Sequence, residues 1–256
     1  MINAARCTAC HVLMIFLVCG MASTLASPLK DSEAAILSRI NPPRIPKVDF
    51  VVKGGENDAH SSINSAITTA HDAGGGRVVL PAGKWQSNGP INLKSDVELH
   101  LSAGAMLRFS TNPDHYPIVI TKFEGTLLYN YSPFIRGYQL TNVALTGDSG
   151  SKIDGQGTKG FSTWRNKQSA DQTALRGMGN DTVAHYKRVF GPGHYLRPVF
   201  VQFLGCKNVL IKGITLVDSP FWIVHPVFST NVIVKDVTVD SPYVNNDGID
   251  PDGNSS

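Results

Sequence analysis

Cysteine is scarce in this chain and poorly placed for cross-linking. Cys7, Cys10 and Cys19 crowd the start, and Cys206 stands alone in everything that follows. Once the start is set aside, no internal disulfide can form, so the fold must rest on its core. Cys206 comes just before an apolar stretch and reads as a small buried hydrophobe rather than a nucleophile. Long apolar runs are also lacking. The run Val12–Val18 falls far short of the roughly 20 residues a membrane span needs. No excess of one charge stands out either: the formal net charge is +3, and it drops by one when Arg6 is removed. That balance gives no case for nucleic acid or a membrane surface as partner. A polyanion stays possible, because local clusters matter more than the net count. Helical periodicity is nearly absent, with a single good segment.

The charged Arg6, the apolar run and the small residues Gly20, Ala22, Ser23 and Ala26 follow the order of a secretory signal peptide. The expectation is a signal at 1–26, cleavage between Ala22 and Ser27, and a secreted or periplasmic product. Val18 is too bulky before Cys19 for a lipoprotein signal. Residues 27–47, with Pro42, Pro43 and Pro46, read as a leader, and 48–256 as one domain. The helical segment places Ile63, Ala66, Ile67 and Ala70 at i, i+3, i+4 and i+7 and stops at Gly74-Gly75-Gly76.

Elsewhere the chain is short strands and turns, with 24 glycines and 15 prolines. Arg77–Leu80 reads as a strand ended by Pro81; Val97, Leu99 and Leu101 alternate with polar residues, as do Val143 and Leu145. Asn208–Leu216 is echoed by Asn231–Val239, and each copy runs into Asp-Ser-Pro, at Asp218 and again at Asp240. The N-V-x-I phrase recurs at Asn142, Asn208 and Asn231, with a relative at Asp96. The spacing from Val97 to Val143 reads as two periods of 23, and an insertion interrupts the count before Val209. A constant period with polar turns predicts a solenoid whose coils bury their apolar faces on one another. Three strand-like pieces per period fit an all-β, right-handed parallel β-helix, with the early helix capping its open end. A β-sandwich would show hairpin signals and no constant period. The stretch 164–197 breaks the rhythm and carries Arg165, Lys167, Arg176, Lys187, Arg188, His194 and Arg197. It is either a solvated insertion or a cleft wall that offers cations to an anionic ligand.

Aligning the repeats through Asp-Ser-Pro gives an offset of 22 and pairs His225 with Asp247 on the next coil. Adjacent coils lie roughly 4.8 Å apart, so these two side chains are expected in one column. On local chemistry alone, Asn246-Asp247-Gly248 is an ordinary turn signal. Asp250 and Asp252 could be turn residues, and Phe221-Trp222 could be core packing or a sugar platform. Three carboxylates beside His225 could also hold calcium, although their spacing defines no cage.

Longer wording narrows these choices. Ile153-Asp154-Gly155-Gln156-Gly157, Arg197-Pro198, Asn208-Val209, Ser219-Pro220-Phe221-Trp222, His225-Pro226 and Asn245-Asn246-Asp247-Gly248-Ile249-Asp250 occur in order. From about Asp49 to Ser256 the chain resembles glycoside hydrolase family 28, the polygalacturonases. The resemblance implies inverting hydrolysis of α-1,4-galacturonosyl bonds in pectin, without a cofactor, by a monomer when complete. Asp247 matches the family's first catalytic aspartate, which helps activate water. Asn245 matches the Asn of that motif, while Asn246 stands where Thr is common. Asn245, Trp222 and His225 are expected substrate contacts, and Asp250 is given no role beyond structure. The family's adjacent Asp-Asp pair, its His-Gly and its Arg-x-Lys lie downstream of the Asp247 motif and have no counterpart among the residues after it. Inversion needs an acid and a base roughly 6.5–9.5 Å apart. The expectation is therefore an amino-terminal portion, truncated in mid-coil, without its general acid and inactive as written. The insertion favours exo action. Rhamnogalacturonan hydrolysis, a calcium-dependent pectate lyase and a non-catalytic binder of acidic polysaccharide are the alternatives.

Overall fold

The computed structural model describes residues 28–55 and 58–256; the expected signal peptide and its three cysteines lie outside them. The chain divides into two units, one ending at Arg39 and the other running from Ile40 to Ser256. The first contributes the helix Pro28–Leu37, within the stretch read as leader.

The second unit is a parallel β-helix. Its first sheet stacks Asp49–Val51, Gly76–Leu80, Val97–Leu101, Thr141–Gly147, Lys207–Lys212 and Thr230–Lys235 in that order. A second sheet stacks Gly83–Ser87, Ala105–Phe109, Lys152–Asp154, Thr215–Val217 and Thr238–Asp240. A third stacks Ile91–Asn92, Ile135–Tyr138, Val201–Leu204 and Val224–Val227. All pairings in these three sheets are parallel, and the coil is right-handed, the hand parallel crossovers adopt.

Parallel register puts like on like, which is why the apolar positions form columns. Val78, Leu99, Leu145, Ile211 and Val234 make one. Trp85, Leu107, Ile153, Leu216 and Val239 make a second. Ile91, Ile135, Val201 and Val224 make a third, continued by a bridge to Ile249. The helix His60–Asp72 lays Ile63, Ile67 and Ala70, all fully buried, over the first coil, as its periodicity predicts.

A second periodicity runs outside the core. Asn142, Asn208 and Asn231 all adopt left-handed φ, near 54–56°, where Asn is among the few side chains tolerated. Each amide donates to the rung below: Asn142 to Asp96 at 3.0 Å, Asn208 to Asn142 at 2.9 Å and Asn231 to Asn208 at 3.0 Å. Asn231 also donates to the Asn41 carbonyl at 2.7 Å, tying the segment that precedes the first strand to the last rung.

Two expectations are corrected. Val143 pairs directly with Val97, so the 46 residues between them form one coil rather than two. The extra length is the antiparallel hairpin Ile118–Phe123/Thr126–Tyr131, which leaves the solenoid and returns to it. The stretch 164–197 is not a solvated loop. It holds a 3-10 turn at Phe161–Asn166, the helix Ser169–Asn180 and the strand Val189–Phe190, which adds to the hairpin alongside Tyr129 and Asn130. Leu175, Phe190 and Leu196 join Phe123, Leu128, Val199 and Phe221 in a second apolar cluster. Three of its seven expected cations face inward or are paired: Arg197 is fully buried, Arg176 pairs with Glu124 at 2.6 Å and His194 with Asp171 at 2.7 Å.

Candidate active site

The sequence-predicted site residues lie on the last rungs. Ser219 and Ser241 stack, the Ser219 amide donating to Ser241 Oγ at 2.7 Å. The two Asp-Ser-Pro phrases therefore sit one above the other. Gly157 meets this corner so closely that a Cβ there would stand 2.2 Å from the Ser219 carbonyl, so only glycine fits.

Beyond Ser241 the register changes. Val201 pairs with Val224, 23 residues on, but Val224 bridges to Ile249 and Val227 to Asp252, each 25 on. The turn after Ser241 thus holds three more residues than its counterpart after Ser219, since Ser219 lies 22 residues before Ser241 and Val224 25 before Ile249. The Ile223 amide donates to the Asp247 carbonyl at 3.1 Å, and the Asp250 amide to the Val224 carbonyl at 2.8 Å. His225 is consequently level with Asp250, and Asp247 with Trp222. The expected His225–Asp247 column is not formed, because an alignment through Asp-Ser-Pro cannot see residues added after it.

The turn is anchored from beneath. Arg197 donates to Asn245 Oδ1 at 2.8 Å, the Val244 carbonyl at 3.0 Å and Gln168 Oε1 at 2.9 Å, with its guanidinium 4.7 Å over the Phe221 ring. None of these partners is charged, and burial pushes the Arg197 pKa down to about 10. Asn245 takes left-handed φ, at 61°. Asn246 donates to the Ser219 carbonyl at 2.9 Å and to Ser241 Oγ at 2.6 Å. Asp247 at the tip is exposed, and its carboxylate makes no hydrogen bond or ion pair among the described residues. Trp222 is half-buried, stacked on Phe221 at 5.1 Å and edge-on to His225 at 5.0 Å, leaving part of its indole open to a ligand.

His225 does not behave as the expected substrate contact. Its ring is fully enclosed, with Nδ1 against Gln202 Nε2 at 3.1 Å and Nε2 3.4 Å from Asp252 Oδ2. Burial pulls its pKa down to about 4, so the ring is neutral. Asp252 also receives Lys122 Nζ at 2.7 Å. Burial pushes this carboxyl up, but Lys122 and His225 outweigh it and hold it below its ordinary value. Asp250 is the contrary case. Its Oδ2 is enclosed without a partner, and burial, with Asp247 and Asp252 adding repulsion, raises it to about 6. Among the described residues no three His, Cys, Asp or Glu side chains group as a metal site.

Sequence reasoning missed Lys122 and Gln202, and took Arg197 as a cation for a ligand rather than as the anchor of the turn. Gln202 carried a usable signal: it precedes His225 by 23 residues, the spacing of Asn208 and Asn231, and pairs with it in register. Lys122 lies on the hairpin, 130 residues from Asp252, where no repeat could point to it.

The architecture and the site's wording can now be set beside known proteins. No family model matches the chain. A protein named probable polygalacturonase from Vitis vinifera is 30% identical over 219 residues, covering 80% of this chain and 39% of the relative. An endo-polygalacturonase of Pectobacterium carotovorum subsp. carotovorum is 27% identical over 231 residues, covering 83% of this chain and 50% of the relative. The crystal structure of a hyperthermoactive exopolygalacturonase from Thermotoga maritima superposes with a TM-score of 0.80 at 38% identity, over 86% of this chain and 53% of that one. The chain thus spans half or less of the length of the curated relatives it matches. Over the stretch it shares with them, it belongs to the polygalacturonases, glycoside hydrolase family 28.

Proposed function

We propose that this chain contributes the first part of a secreted, inverting hydrolase of α-1,4-galacturonosyl bonds in pectin, acting from chain ends. The observation that carries this reading is Asp247, an exposed and unpaired carboxylate on a turn held by Arg197, beside the open edge of Trp222. A carboxylate in that setting suits the base that activates water. Asn245 serves that base by bonding Arg197, and the exposed part of Trp222 offers a face to a sugar ring. The 38% identity to the Thermotoga exopolygalacturonase supports the exo type, as does the ordered insertion at 164–197. No Asp-Asp pair occurs in these 256 residues, and Asp250 and Asp252 are drawn inward. By itself the polypeptide is expected to bind polygalacturonate without cleaving it.

Co-sedimentation with polygalacturonate, combined with a reducing-end assay, tests the reading. Retention on polygalacturonate, none on a neutral polysaccharide, and no reducing ends are expected. Equal retention on both would sink the substrate assignment, and products absorbing in the near ultraviolet would point to a lyase. Reducing ends released by the native chain and lost in Asp247→Asn would support the base while showing that the acid is already present.

A further inference from the structure

A chain of buried side chains passes under the last rung and joins it to the hairpin. Thr121 Oγ1 donates to Gln202 Oε1 at 2.7 Å, and Gln202 Nε2 meets His225 Nδ1 at 3.1 Å. His225 Nε2 faces Asp252 Oδ2 at 3.4 Å, and Lys122 Nζ meets Asp252 Oδ1 at 2.7 Å. Thr121, Lys122, Gln202 and His225 are each at most 6% exposed, so water has little access to correct a mismatch.

The direction of every bond in this chain follows from the inventory of donors and acceptors. A lysine ammonium only donates and an ionised carboxylate only accepts. In the neutral ring that full burial favours, the His225 nitrogen facing Asp252 must therefore carry the proton, and Nδ1 must accept. A glutamine amide can meet an acceptor only with its NH2 group, which turns its oxygen to Thr121, whose hydroxyl is free to donate. Flipping the Gln202 amide would set its oxygen against Nδ1 and require a proton there. The neutral ring would then turn a lone pair toward the Asp252 carboxylate. The two ends of the chain thus demand one and the same arrangement.

We propose that Gln202 is a positioning residue for the site. It locks His225 as the neutral Nε2–H tautomer, and His225 and Lys122 together fix the Asp252 carboxylate through both oxygens. Asp252 anchors the segment that carries Asp247: its amide donates to the Pro226 carbonyl at 2.9 Å, and its carbonyl accepts from the Phe228 amide at 3.1 Å. The hairpin, which supplies Thr121 and Lys122, is by this route a brace for the last rung as well as an excursion of one coil. The proposal rests on the reading of Asp247 as the reactive carboxylate, but its first tests do not.

Nitrogen-15 correlation spectra of the histidine rings, with His225 assigned through His225→Gln, should show the neutral Nε2–H pattern. Gln202→Glu puts an acceptor-only group against Nδ1 without loss of volume, and His225 should then turn to imidazolium. Gln202→Met removes the donor at nearly constant volume. The Asp250 and Asp252 amides should then exchange at least tenfold faster, while those of Val209 and Ile211 keep their rates. Trigalacturonate affinity should fall about fivefold or more in both variants. A native Nδ1–H ring, or unchanged exchange at Asp250 and Asp252 in Gln202→Met, overturns the relay. Altered His225 spectra with undiminished trigalacturonate affinity overturn its positioning role and leave the proposed function standing. A native chain with the expected tautomer but no affinity for trigalacturonate overturns the proposed function instead.

Discussion

Asp250 and His225 lie level on adjacent rungs, and burial disfavours the charge of both. Their effects on stability run in opposite directions. His225 titrates near pH 4 when folded and near 6.5 when free. On acidification the unfolded chain therefore takes this proton first, and stability falls between pH 6.5 and 4. Asp250 titrates near 6 when folded and near 3.8 when free. The folded chain takes that proton first, and stability rises as pH falls from 6 to 3.8. The two slopes largely cancel in the native protein. Asp250→Asn removes one of them. This variant should be more stable than the native chain at pH 7 and should lose that advantage on acidification, by at most about 1.4 kcal/mol per pH unit. Urea denaturation between pH 4.5 and 7 would show it; parallel pH curves for the two proteins would refute it. Arg197 allows a second prediction at this scale. Arg197→Met keeps the packing on Phe221 but strands the Gln168 and Asn245 side-chain oxygens and the Val244 carbonyl. The buried Gln168 oxygen left alone costs about 1–3 kcal/mol, and the part-buried Asn245 and Val244 oxygens cost less. A loss of about 1–3 kcal/mol is expected in denaturant, and an unchanged stability would mean that the turn does not depend on Arg197.

Between rungs, the asparagine ladder separates two reasons for a recurring residue. Asn208 accepts from Asn231, donates to Asn142 and holds φ near 56°. Asn208→Ala loses the side-chain bonds and adds left-handed strain, whereas Asn208→Gly loses only the bonds. With about 1 kcal/mol for each bond and 1–2 kcal/mol for the strain, the alanine variant should be the less stable by at least 1 kcal/mol. Equal melting temperatures would show that the ladder's worth lies in its bonds alone. These positions were legible because a solenoid repeats its needs: Asn142, Asn208 and Asn231 carry the same phrase, and Val97, Leu99, Val143 and Leu145 alternate as their columns require. The same signal misled where the chain leaves the coil. A repeat counts residues rather than rungs, and the hairpin lengthens one coil to 46 residues, twice the period, so one rung reads as two. The helix Ser169–Asn180 was illegible for another reason. It holds two glycines, and Leu175 and Met178 are its main apolar contacts, so it owes its existence to the cluster with Phe123 and Phe190 rather than to its own pattern. At the site, Asn245, Asp247 and Trp222 were nominated by their wording. The true neighbour of His225 was hidden by three residues added in a turn.

Along the solenoid axis, coverage of the core is uneven. At one end the helix His60–Asp72 seals the interior, and Val78, Leu99 and Ile91 are fully buried. At the other, the same columns finish with Val234 only partly buried, Val239 40% exposed and Ile249 49% exposed. The strand Thr230–Lys235 is the last in its sheet, and a strand edge above a half-covered apolar face invites another chain to add to it. Solenoid stability is a sum of neighbour contacts, so a rung with one neighbour is weaker than a rung with two. Expressed as these 256 residues, the protein should therefore open from the last rung. Amides of Val232, Val234 and Thr238 should exchange orders of magnitude faster than those of Val97, Leu99 and Val143, whose opening approaches the global free energy. Light scattering should show association that grows with concentration, and Ile249→Lys, which places a charge on the open column, should reduce it. Uniform protection from Val78 to Val234 in a strictly monomeric chain would mean that the upper end is closed by contacts other than these columns. If Gln202→Met at the same time left Asp250 and Asp252 protected, the hairpin brace would lose its part in holding that end.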